Sequence, residues 1–176
     1  CPNAFGGQPF TDPNRLDKLL SKISKISTKK PVFLKLSPDL SKKQLDDILG
    51  VVEKYRINGF ICSNLTKNRS NKRIIDTSVP EDGGISGKVV EKLSNDAISY
   101  IYKKTKGKYL IIGLGGVFCA KDAYRKIKKG ASLIQLITGM IFEGPQLISE
   151  INQGLVKLIE KDGYGNISEA IGVDNK

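Results

Sequence analysis

Three glycines carry the first hint of chemistry. Gly113, Gly115 and Gly116 follow a short apolar run, 109–112, and precede a segment of helical character, 120–129, whose Ala123 and Ile127 share a face. Glycines at the carboxyl end of a parallel strand leave backbone N–H groups bare to an approaching phosphate, and the helix N-terminus behind them adds partial positive charge. The run Gly113-Leu-Gly-Gly-Val-Phe118 departs from the dinucleotide fingerprint, because Phe118 stands where the third glycine belongs. A plain strand-to-helix turn is the alternative. Lys35 is the second hint: it lies between Leu34 and Leu36 in a nearly continuous apolar run, 31–36. A cation in a buried strand needs a partner, although a lysine snorkelling at a strand end has the same sequence. Cysteine occurs three times, at Cys1, Cys62 and Cys119, without metal-ligand spacing, and histidine is absent. This excludes Ser-His-Asp and Cys-His catalysis and histidine-bound metals from the segment, and no metal site is expected.

These residues need elements to hold them. Asn14 opens a helical stretch, 14–27, with Leu16, Leu19, Leu20, Ile23 and Ile26 on one face. The Lys35 run suits a parallel strand. Ser41 and Gln44 form a capping box for a helix that reaches about Tyr55. The run 58–63 is a second strand, and Asn64 follows it. A polar stretch, 66–84, has no apolar period; loops of that length are lids or disordered. A helix follows Gly87, and the 109–137 region then forms a strand–helix–strand unit. In this reading Gly113 breaks the third strand, Gly130 terminates the helix, and the fourth strand, 133–137, ends at Thr138. Gly144-Pro145 opens a last helix with Leu147, Ile148, Ile151, Leu155, Leu158 and Ile159 facing inward.

Four strands alternating with helices predict an α/β fold with a parallel sheet. Four such units are half of an eightfold barrel, which takes about 250 residues; a flavodoxin-like open sheet is the alternative. The whole of 1–176 reads as one unit. Its start, Cys-Pro-Asn-Ala-Phe-Gly-Gly, has the look of an active-site loop inside a longer chain. The net charge of +11 admits nucleic acid or anionic ligands, but the lysines are spread over every helix, and no nucleic-acid partner is expected.

Seven motifs carry a resemblance: CPNAFGG at 1–7, VFLKLSPDLS at 32–41, INGFICSNLT at 57–66, GGISG at 83–87, IIGLGGV at 111–117, GASLIQLITGMIFEGP at 130–145 and GYGNISEAIG at 163–172. In this order and spacing they resemble the C-terminal half of dihydroorotate dehydrogenase, an FMN enzyme of pyrimidine synthesis built on a (β/α)8 TIM barrel. The resemblance implies oxidation of dihydroorotate to orotate with FMN as hydride acceptor. It implies that Lys35 contacts the flavin ring, that Ser63 touches the flavin, and that Gly87, Gly116, Ile137 and Thr138 hold the FMN on its phosphate side. Asn3, Asn64 and Leu65 fall at substrate-binding positions, where a planar pyrimidine with amide edges calls for donors and acceptors. Cys1 falls at the catalytic base, which takes a proton from C5 of dihydroorotate while hydride leaves C6. A thiol, with a pKa of about 8.5, suits that task near neutral pH.

The GASLIQ, FEGP and AIG segments resemble the membrane-associated, quinone-reducing class 2. That class docks on the bacterial or mitochondrial inner membrane through an N-terminal extension, so quinone and membrane are the expected partners beside dihydroorotate. Cys1 departs from the pattern, since class 2 enzymes usually have serine there and cytoplasmic class 1 enzymes, which use fumarate or NAD, have cysteine. Leu65 stands where a threonine is usual, Ile137 where a tyrosine is, and Ala4 and Gly6-Gly7-Gln8 also depart. The flavin-dependent tRNA dihydrouridine synthases also place a cysteine beside proline. They carry a His-x-Arg pair after the lysine strand, where this chain has Ser-Pro-Asp-Leu-Ser and no histidine.

Overall fold

The computed structural model describes residues 9–175. Its frame is a four-stranded parallel sheet of β1 (Phe33–Leu36), β2 (Gly59–Cys62), β3 (Leu110–Leu114) and β4 (Leu133–Gln135), arranged in chain order. Between them run α1 (Pro13–Ile23), α2 (Lys42–Val52), α3 (Glu91–Thr105) and α4 (Ala120–Lys128), followed by a short α5 (Thr138–Glu143) and α6 (Leu147–Lys161). Every strand pairs with its predecessor, as expected of consecutive βα units.

The register divides the sheet into two faces. Leu34, Phe60 and Ile111 lie side by side, as do Leu36, Cys62 and Gly113. With the helical residues Leu16, Leu20, Leu45, Ile48, Ile98 and Ile101, the apolar members of those rows form the main core. Phe60 meets Tyr109 edge-on within it, ring centroids 5.2 Å apart. Alternation along a strand sends the next row to the opposite face. That row is Lys35, Ile61, Ile112 and Leu133. No helix of the described residues covers it, and Leu110 and Leu133 are 51% and 60% exposed.

The capping box is formed: Gln44 N–H donates to Ser41 Oγ at 3.2 Å and Ser41 N–H to Gln44 Oε1 at 2.9 Å. Several expectations need correction. Gly113 lies inside β3 rather than breaking it, paired with Cys62 and Ile134. A Cβ there would come within 3.1 Å of Ala131 and of the Lys126 side chain, so the glycine admits α4 against the sheet. Thr138 does not end β4 but opens α5. The apolar residues 136 and 137 continue the strand pattern, and periodicity cannot separate such a run from a short helix. The last helix begins at Leu147, beyond Gly144-Pro145, and Ile148 is half exposed rather than inward. Lys35 is exposed, not buried, because its strand is covered on one face only.

Candidate active site

The carboxyl ends of the four strands converge on a half-open pocket of about 140 Å³. Eight of the ten expected site residues line it: Lys35, Ser63, Asn64, Leu65, Gly87, Gly116, Ile137 and Thr138. Cys1 and Asn3 lie outside the described residues.

The backbone that places them continues the sheet ladder. Beyond β2, Ser63 N–H donates to Leu114 O and Asn64 N–H to Leu36 O, each at 2.8 Å. The strand end is thus tied to both neighbours where its side chains begin to serve the pocket. Ser63 is buried, and its Oγ has no hydrogen-bond partner in the protein. Buried hydroxyls are nearly always satisfied, so an orphan facing a pocket is a donor available to a ligand. Lys35 projects from the uncovered sheet face into the same space.

The opposite wall is built from glycines. Gly87 has φ +78° and Gly116 has φ +71°. At Gly116 a Cβ would stand 2.4 Å from that of Glu91, and at Gly87 it would press on the Thr138 methyl at 3.3 Å. Both conformation and space therefore demand glycine, and the bare backbone faces the pocket. Thr138 Oγ1 donates to Ser86 Oγ at 2.9 Å, joining α5 to the segment before the 3₁₀ turn Gly87–Val90. Ile137 lines the pocket with its side chain 59% exposed, and Leu65 leans on Gly84, where a Cβ would lie 2.6 Å from its own.

Behind the glycines a charged cluster fixes the wall. Asp122 on α4 accepts from Lys88 Nζ at 2.5 Å and from Phe118 N–H at 3.0 Å. Burial works to raise the Asp122 carboxyl, but Lys88 and the Phe118 N–H outweigh it and hold the group below the usual carboxylate range. Arg125 pairs with Glu91, the first residue of α3. Cys62 lies wholly inside the core, where burial pushes its thiol up to about 12, so it is not a nucleophile.

Gly115, one of the strand-end glycines read as open to a phosphate, lines the pocket too, and Ser86 and Gly139 line it without having been expected. These two adjoin expected residues in the GGISG and LITGM runs, so neighbourhood in those motifs was the available signal. No group of three or more histidine, cysteine, aspartate or glutamate residues that could hold a metal occurs among the described residues.

The fold and site define an α/β chain of barrel type, with its pocket at the carboxyl ends of parallel strands and a glycine wall suited to a phosphate. The dihydroorotate dehydrogenase family model matches residues 1–159. Among curated relatives, dihydroorotate dehydrogenase (quinone) of Trichodesmium erythraeum is 40% identical over 182 residues, covering 99% of this chain and 48% of the relative. The mitochondrial dihydroorotate dehydrogenase (quinone) of Arabidopsis thaliana is 42% identical over 146 residues, covering 83% and 32%. The ferulenol complex of the Eimeria tenella enzyme superposes with a TM-score of 0.88 at 28% identity, covering 99% of this chain and 52% of that one. The chain belongs to the dihydroorotate dehydrogenase family. It spans about half the length of the curated relatives it matches.

Proposed function

We propose that this chain supplies the C-terminal half of an FMN-binding barrel that oxidises dihydroorotate to orotate in pyrimidine synthesis and passes the electrons to a quinone. The observation that carries the reading is the convergence of Lys35, the orphaned Ser63 hydroxyl, Asn64 and the Gly87–Gly116 wall on one pocket. The residues present fit the cofactor. Gly87, Gly116 and Thr138 would cradle its phosphate, and the Ser63 hydroxyl would donate a hydrogen bond to the ring system.

FMN bound there would accept a hydride from C6 of dihydroorotate. Lys35 brings a positive charge to the place where negative charge would grow on reduction, and that charge is worth most where water is excluded. Asn64 orients the pyrimidine by donating to one amide edge and accepting from another. Leu65 offers apolar contact in place of a hydroxyl. Asn3 would add a second amide contact, and Cys1 would take the C5 proton.

The quinone assignment rests on the relatives' names. No helix among the described residues is long and apolar enough to cross a membrane, and association with an inner membrane is assigned to sequence outside this chain. Cys1 favours a second reading, in which fumarate or NAD takes the electrons.

The test uses the complete protein carrying this chain, purified with its flavin and mixed anaerobically with dihydroorotate. The flavin band should bleach quickly, and Cys1→Ser should slow that strongly at pH 7. Absence of bleaching in the wild type would overturn the reading. Reoxidation by a quinone, against fumarate or NAD, separates the two acceptors.

A further inference from the structure

Lys126, in the last turn of α4, is wholly inaccessible to solvent. Its ammonium has neutral partners: Nζ donates to Ser94 Oγ and to Asn95 Oδ1, each at 2.9 Å. No carboxylate lies within salt-bridge distance of it among the described residues. Buried ammonium groups are costly unless paired, so packing alone does not account for this one. A methionine of similar length would fill the space without that cost.

What the lysine touches leads to the pocket. Ser94, also fully buried, directs its Oγ at Leu114 O at 2.8 Å and at Cys62 O at 3.0 Å. Those carbonyls end β3 and β2. Leu114 O also accepts from Ser63 N–H at 2.8 Å. One and two residues beyond the two strand ends stand Ser63 and Asn64, and Gly115 and Gly116, all of which line the pocket. A Cβ at Gly115 would in turn lie 3.6 Å from the Ser94 Cβ. A hydrogen-bonded chain thus runs from Lys126 through Ser94 to the two strand ends that present binding residues. A cationic donor at its head polarises every bond after it.

We propose that Lys126, acting through Ser94, is a positioning residue of this pocket, holding the carboxyl ends of β2 and β3 in the one arrangement that receives the cofactor. The inference rests on the FMN reading above. Charged and titratable groups around the ammonium are Cys62 on β2, Glu91 on α3, and Asp122 and Arg125 on α4. Burial is the largest influence and holds the ammonium down at about 8, with Glu91 and Asp122 pulling the other way. Its charge is therefore lost over a range accessible to an FMN-binding assay.

The experiment is FMN titration of the apo form of the complete protein between pH 6.5 and pH 9.5, roughly spanning the Lys126 titration, for the wild type, Lys126→Met and Ser94→Ala. The melting temperature of each apo form is measured alongside. FMN affinity should fall about tenfold at pH 7 in both variants, in line with about 1.4 kcal/mol per decade. The wild type should lose affinity as pH rises through 8, and Lys126→Met should show no such loss. In dihydroorotate-driven flavin reduction, the substrate concentration for half-maximal rate should rise more than the maximal rate falls. If Lys126→Met does not fold, Ser94→Ala carries the test, since it keeps the lysine and removes only the link. Wild-type affinity and pH dependence in whichever variants fold would overturn the positioning role while leaving the flavin reading intact. A wild type that takes up no FMN would instead sink the flavin reading itself.

Discussion

At the scale of single residues, Ser63 separates binding from stability. Its hydroxyl is buried without a protein partner, so removing it costs the apo protein no hydrogen bond. Ser63→Ala should leave apo melting unchanged or slightly raised, yet weaken FMN binding about fivefold, the worth of a hydrogen bond near 1 kcal/mol; calorimetric titration beside thermal melts checks both. Lys126 and Cys62 make a second prediction. Burial lowers Lys126 from 10.5 to about 8 and raises Cys62 from 9.0 to about 12. Between pH 8 and pH 9 the unfolded chain holds the extra proton, at Lys126, so stability rises with pH, at about 1.4 kcal/mol per unit. Above pH 9 the native state retains the Cys62 proton that the unfolded chain loses, and the two slopes cancel. The Lys126→Met variant should lack the rise and only decline above pH 9, read as the difference between its melting curve and that of the wild type. Gly116 and Lys35 were legible in the sequence because a strand-end glycine pair and an intrastrand lysine are conspicuous, whereas Gly87 was reached only through the resemblance. Lys126 was not legible, although it stands three residues after Ala123 and beside Ile127 on the buried stripe of α4. Its charge masked a position that the helical period assigns to the core.

At the scale of elements, the 66–84 segment is not structureless. Its root is an antiparallel bridge between Thr66 and Ile85, with Thr66 bonded to Asp39. Arg69 gathers it from within, donating to the carbonyls of Lys67, Pro80, Asp82 and Gly83 at 3.0–3.1 Å. Arg69→Ala should open the loop to trypsin at its basic residues at least tenfold faster while the melting temperature of the core moves little, since local opening is independent of global unfolding. The sequence showed the loop but not this order, because one arginine serving four backbone carbonyls leaves no periodic trace. Helices and strands were legible where apolar spacing was long and regular, as in α1, α2 and α3. The six-residue α5 was hidden, since one and a half turns offer too few positions for a helical period to outcompete alternation.

At the scale of the whole molecule, the parallel α/β order was legible in the βα alternation, which left an open sheet as the alternative, and the run of seven motifs decided for the barrel. The uncovered sheet face was not legible, because inward barrel positions such as Ile61, Ile112 and Leu133 are as apolar as any core. With Leu110, Leu133, Ile141 and Phe142 51–76% exposed, the chain expressed by itself should bind an environment-sensitive apolar dye and self-associate. A lysine at Leu133 should reduce both, checked by dye fluorescence and light scattering. Because each strand pairs with the one before it, the sheet can also be laid down in the order of synthesis. Each new strand leaving the ribosome finds its neighbour already in place, and no pairing waits for a later segment. The edge left open last is then that of β4, the final strand of the order, so a pause in translation within this stretch leaves a growing edge rather than a misregistered sheet.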